Sequence, residues 1–146
     1  MLDIDAVYQG LAAAINGAAI QGTTRQVTAT AFSPDLPEPP HFFCAEFDGT
    51  YDRTFGGQME LVVTARLMLS RADDDGESGQ REAFRLASAG ADTIREAINE
   101  ARGAPGEDAL DGACDDLYLR RVTGPRLYDY GDDNFYGLEF TIFVMG

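Results

Sequence analysis

The chain has 146 residues, 45% of them hydrophobic and 25% charged, and a formal net charge of −14. That length suffices for one domain with a real core, and the composition is that of a globular chain rather than a disordered one. A charge this negative is at odds with a phosphate-neutralising DNA-binding surface and with docking on anionic membranes.

All eleven basic residues are Arg, and with abundant Ala, Gly and Asp this fits a GC-rich coding sequence. No apolar run approaches the ~20 residues needed to span a bilayer. The first ten residues, MLDIDAVYQG, carry acids where a secretory signal has a basic segment, so export by that route is not expected. Cys44 and Cys114 are accordingly expected as buried thiols packing as small hydrophobes, with a disulfide between them as the alternative. One histidine and no paired-cysteine spacing leave little to build a zinc site from.

Asp3 or Asp5 can cap a first helix, predicted from Ile4 to Ile20, in which Ile4, Val7, Tyr8, Leu11, Ala14, Ile15 and Ala18 make one apolar stripe. Its other face, with Gln9, Asn16 and several alanines, is poor in charge and leaves room for a partner. Gln26 to Phe32 alternates as a strand. SPDLPEPP follows, and Pro34, Pro37, Pro39 and Pro40 forbid regular structure and make a stiff, extended connection or arm. His41 to Asp48 is a second strand and Gly49 to Gly57 a glycine-rich turn.

Gln58 to Ser70 is the third strand. Met59, Leu61, Val63, Ala65, Leu67 and Leu69 share one face, while Glu60, Val62, Thr64, Arg66 and Met68 make a mixed one, as expected of a central strand covered by helices on one side. An acidic turn with Asp73, Asp74, Asp75 and Glu77 leads to Ser78, a plausible cap for a helix through Leu86. Gly90 predicts a break before a second helical piece capped by Asp92, with Ile94, Ala97, Ile98 and Ala101 buried. A loop over 101–111 precedes a meander. Strands are predicted over 116–123 and 126–130 with a turn at Gly124-Pro125, then a GDDN hairpin loop (131–134) and a closing strand from Phe135 to Met145. The fold class expected is α+β: a single mixed, mostly antiparallel sheet in one domain, with an N-terminal helix and a mid-chain helical segment packed on it.

Chemistry is sparse. His41, the single histidine, follows two prolines in apolar surroundings and reads as a core or loop residue. No glycine-rich phosphate loop or dinucleotide spacing is present. In DDDGE the acids are adjacent rather than alternating, so they splay apart instead of converging on calcium. Asp129, Asp132, Asp133 and Glu139 offer carboxylates for acid–base work, but nothing in the spacing singles out one pair, and a polar hairpin loop explains them at lower cost. No catalytic, cofactor or metal site is therefore assigned. Twelve of the 25 acids fall in three clusters, at 73–77, 107–116 and 129–133, all in or beside connections. These are solvated loops or, if folding brings them together, one acidic rim or channel lining.

The order of elements resembles the tail terminator proteins of phages with long, non-contractile tails, lambda-type neck proteins, especially those of actinobacterial hosts. The residues that carry it are a short N-terminal helix, the proline-rich PDLPEPP, the strand QMELVVTARLMLS entering an acidic turn, the helical SGQREAFRLAS and ADTIREAINEA, and two C-terminal motifs. Those motifs are Arg121-Val122-Thr123-Gly124 and Gly137-Leu138-Glu139-Phe140-Thr141-Ile142. The match spans essentially the whole chain, although the tryptophans common in such strands are missing.

The resemblance implies a structural protein without catalysis or cofactor. It forms a ring, of six copies in the family, that caps the tail tube, ends tube polymerisation and presents a surface to the head-closure connector, with DNA passing through unbound. It implies assembly in the host cytoplasm and a place in the virion neck, away from membranes. On this view Asp73, Asp74, Asp75 and Glu77 are candidates for a lumen or tube-facing loop. Asp129, Asp132 and Asp133 form a second acidic loop, and Pro34, Leu36, Pro37, Pro39 and Pro40 a subunit-contact arm. The alternatives are another neck or tail protein (head-closure factor, tail-completion factor or tube subunit) and, different in kind, a small acidic enzyme using a carboxylate pair.

Overall fold

A computed structural model describes residues 2–51, 59–72, 77–103, 108–130 and 132–146. The elements are α1 (Ile4–Ile15), β1 (Thr28–Thr30), β2 (His41–Tyr51), β3 (Met59–Arg71), α2 (Glu77–Ala101), a 3-10 turn at Leu110–Gly112, β4 (Asp116–Tyr130) and β5 (Asp133–Met145). The five strands form one mixed sheet in the order β1-β2-β3-β5-β4. Only the β1–β2 pair is parallel; the other three are antiparallel. The chain therefore has the expected α+β fold, with β3 at the centre of the sheet.

Alternation along β3 decides which face is covered. Leu61, Val63, Ala65, Leu67 and Leu69 are fully buried and join Leu138, Phe140, Ile142 and Val144 of β5 in the main core. Both helices close that face. α1 contributes Val7, Tyr8, Leu11 and Ile15, and α2 contributes Ala83, Leu86, Ile94 and Ile98. Asp3 caps α1, its side chain accepting from the Ala6 N–H at 3.3 Å. No helix among the described residues is long and apolar enough to cross a membrane.

Several boundaries differ from expectation. β2 runs on to Tyr51 because β3 pairs with it that far. α2 begins at Glu77, so that Ser78 lies inside it rather than capping it. The expected 131–134 loop is shortened because Asp129 pairs with Asn134 and Tyr130 with Asp133, which makes Asp129 and Asp133 strand residues. Four further differences arise where tertiary pairing outweighs local propensity. α1 stops at Ile15 rather than Ile20. Residues 17–20 instead bond back to 25–27, with Gly17 N–H donating to Val27 O at 2.8 Å and Ile20 N–H to Arg25 O at 3.0 Å. That pairing takes Gln26 and Val27 as well, which leaves β1 only Thr28–Thr30. Gly90 does not break the second helical region. α2 runs unbroken for 25 residues, because the small residue lets it press onto Leu67 and Leu69 of β3. The expected turn at Gly124-Pro125 is a bulge inside one 15-residue strand, since β5 runs straight past it and pairs with both halves of β4.

The other sheet face is half covered by the sheet itself. Phe43 of β2 and Tyr130 of β4 are three strand positions apart, roughly 14 Å in a flat sheet. Their ring centroids nevertheless lie 6.1 Å apart. The β4–β5 hairpin curls over, helped by bulges between Leu119 and Arg121 and between Thr123 and Arg126, since each extra residue increases local twist. Gly124 (φ +125°) and Gly137 meet at the bend, where a Cβ on Gly137 would lie 2.7 Å from the Leu67 carbonyl oxygen. Phe43, Met68 and Phe135 are sealed beneath the curl as a second small core, with Tyr128 and Tyr130 against it.

Candidate functional site

β3 gives the sheet two ends. At the upper end lie Arg71, His41 and the β4–β5 hairpin tip; at the lower end Met59, Met145 and Asp116. The acids at 129–133 sit at the upper end. Asp133 forms an ion pair with Arg71, and the Ala72 N–H donates to Asn134 O at 2.8 Å. Asp73, Asp74 and Asp75 lie outside the described residues, as does the side chain of Glu77. The chain enters that acidic turn from Ala72, directly beside the hairpin tip, and leaves it into α2. It emerges from the central strand, not from a lateral edge of the sheet.

The third acidic cluster does not join them. Asp115 and Asp116 lie at the lower end, where Asp115 N–H donates to Met145 O at 2.8 Å and Asp116 pairs with Arg102 at 3.0 Å. A single rim made of all three clusters is therefore not formed. Connections at the same end of a sheet converge; the 107–116 connection enters β4 at the opposite one.

The proline-rich segment is less of a free arm than its composition suggests. It is the crossover between the parallel strands β1 and β2, and Pro37 and Pro40 are buried. Leu36, 49% exposed, stands out together with Ser33, Asp35 and Glu38, while Pro34 and Pro39 are half-buried. Pro34 and Phe32 also border a groove of about 490 Å³ with Gln9, Ala12, Ala29 and Thr30. The charge-poor face of α1 and the start of the crossover thus share one surface. Phe32 is 56% exposed and Phe47 48%, flanking the buried ring of Tyr8 at 5.7 and 6.4 Å.

His41 holds the crossover in place. Its Nδ1 accepts from the Glu38 N–H at 3.3 Å and its Nε2 lies 3.0 Å from Thr30 Oγ1, which donates to Phe32 O at 2.8 Å. With Nδ1 accepting, the ring is the neutral tautomer protonated on Nε2. Burial lowers its pKa, opposed by Glu38. Cys44 and Cys114 are both free and buried, as expected. Burial pushes their thiols up to about 12 and about 11. Among the described residues no group of three or more His, Cys, Asp or Glu side chains is placed to hold a metal ion.

Two features were missed at the sequence level. On the open sheet face Arg66 lies 3.5 Å from the Glu139 carboxylate with its guanidinium 4.7 Å from the Tyr128 ring centroid. An arginine in the middle of the central strand, on its mixed face, was the available signal. The other feature is the two lateral edges of the sheet. β1 covers only His41–Phe43 of β2, and β4 has β5 on one side and no strand on the other among the described residues. No protein-family model matches this chain, and no curated protein sequence matches it.

Proposed function

We propose that this chain is a structural tail protein of a phage with a long, non-contractile tail, namely the terminator. Copies of it form a ring that caps the tail tube, stops addition of tube subunits and offers its far side to the head connector, within the virion neck. The support is the order of elements, a mixed sheet with both helices on one face, and above all the charge at one end of that sheet. The hairpin acids Asp129, Asp132 and Asp133 stand beside the point where the DDDGE turn leaves β3. On a chain of net charge −14, such an end repels phosphate. A conduit for DNA benefits from that, since bound phosphates would impede passage.

The test is electron microscopy of tail tubes assembled without this protein and then mixed with it. The expected result is one ring at the tube end and no further elongation when tube subunits are added. Tubes that continue to lengthen unchanged would remove the terminator reading. Long tubes made by this protein alone would replace it with that of a tube subunit.

A further inference from the structure

Among the described residues both lateral edges of the sheet are open, and they carry opposite charge. On one side β1 ends at Thr30, and its last contact with β2 is the Cys44 N–H donating to Ala31 O at 3.3 Å. Beyond it Ala45, Glu46, Phe47, Asp48 and Thr50 are exposed. Among the described residues their backbone bonds only to β3. Glu46 and Asp48 have no cationic partner there. From residue 26 to 52 the chain has five acids and no arginine.

The opposite edge is β4. Tyr118, Arg120, Arg121 and Val122 are exposed along it. Between Leu117 and Tyr128 this strongly acidic chain carries Arg120, Arg121 and Arg126 and no acid at all. Among the described residues none of the three has a carboxylate partner; Arg120 lies over the Phe143 ring, 4.8 Å from its centroid. Among the described residues each edge thus presents backbone groups with no strand partner, a ready template for another strand.

We propose that the free half of β2 (residues 45–51) is the docking site for the lower half of β4 (residues 117–123) of a second copy of this chain. Three observations point to this occupant. Within one copy β2 and β4 run in opposite directions, so a neighbour related by rotation about an axis along the strands meets β4 with an antiparallel β2. The strand ladders also put Glu46, Thr64, Thr141 and Arg121 on one row, and Asp48, Val62, Phe143 and Tyr118 on another. Added without rise, the neighbour brings its Glu46 level with Arg121 and its Asp48 level with Tyr118, two residues before Arg120. Finally, two-fold pairing of β4 with β4 or of β2 with β2 sets like charges against each other, which disfavours symmetric dimers. The contact is therefore head-to-tail, and such contacts close into a ring where the rotation between neighbours closes and run on as a filament where it does not.

This inference names the interface of the ring proposed above and rests on that part of the reading. It is tested in solution without tail tubes, by sedimentation of the full chain over a wide concentration range. Glu46→Arg and Arg121→Glu should each weaken self-association at least about ten-fold, with unchanged thermal unfolding because both side chains are exposed. Combining both substitutions in one chain should restore assembly, as should mixing the two single variants in equal amounts, because every junction then again joins opposite charges. Amide exchange should slow at 46–50 and 118–122 on assembly. A monomer at every concentration overturns the interface. Assembly indifferent to either substitution overturns it too, while leaving the terminator reading to the tube-capping experiment.

Discussion

Ser33 Oγ and Tyr130 Oη lie 2.8 Å apart although 97 residues separate them in the chain. This bond fastens the curled end of the β4–β5 hairpin to the proline-rich crossover. The Tyr130 ring beneath it meets Phe43 and Phe135 edge-on, at 6.1 and 5.8 Å. Tyr130→Phe removes one exposed hydrogen bond and should cost only about 0.5 kcal/mol. Tyr130→Ala also uncovers the second core and should cost about 2–4 kcal/mol. Urea unfolding separates the two; equal losses would mean that the ring does not hold the curl.

His41 predicts a pH dependence. Burial depresses its folded pKa below the ordinary 6.5. The unfolded chain therefore takes up a proton at a higher pH than the folded one. The stabilisation tied to neutral His41 is complete above about pH 6.5 and declines as pH falls toward the folded value, where it levels off. His41→Gln lacks this slope, so its deficit relative to the parent should shrink from pH 7.5 to pH 5. A constant deficit across that range would contradict the assignment. Glu82 and Asp116, held low by hydrogen bonds from Arg85 and Arg102, lose their contributions only below their ordinary 4.5 and 3.8. They cancel in the comparison.

Two glycines of α2 should respond oppositely to alanine. A Cβ on Gly90 would meet only the δ-methyls of Leu69 and Leu67, at 3.2 and 3.3 Å, which can shift. The helix meanwhile gains up to about 1 kcal/mol of propensity, so Gly90→Ala should be neutral or mildly stabilising. A Cβ on Gly79 would lie 2.5 Å from the Arg71 carbonyl oxygen, a backbone atom of β3. Gly79→Ala should destabilise by about 1–3 kcal/mol. Thermal unfolding of both variants checks the signs.

The thiols predict a chemical result. Raised to about 12 and about 11 by burial, Cys44 and Cys114 hold almost no thiolate at pH 8. An aromatic disulfide reagent should leave the native protein unlabelled and titrate both thiols after denaturation. Rapid native labelling would show that one of these sites opens.

The strands and helix faces were legible because burial follows period. The β3 alternation alone separated the covered face from the open one. Three kinds of information were not local. Gly90 and Gly124-Pro125 carry breaker signals, but α2 presses on β3 and β5 runs past the bulge, and neither partner is visible from the residues themselves. Strand order was equally hidden, so the meeting of Asp129–Asp133 with the exit toward the acidic turn, and the exclusion of Asp115 and Asp116, could not be read in advance. The proline segment was rightly irregular, yet composition gave no hint that Pro37 and Pro40 would be buried by their own chain.

The two ends of the sheet are unlike, with the hairpin acids and His41 at one and Asp115, Asp116 and Cys114 at the other. Copies set around an axis along the strands all point the same way. Any such assembly is a washer with two different sides, and it seats on a partner in one orientation only. Direction along a tail would then follow from the fold of each subunit, with no additional protein needed to tell the two sides apart.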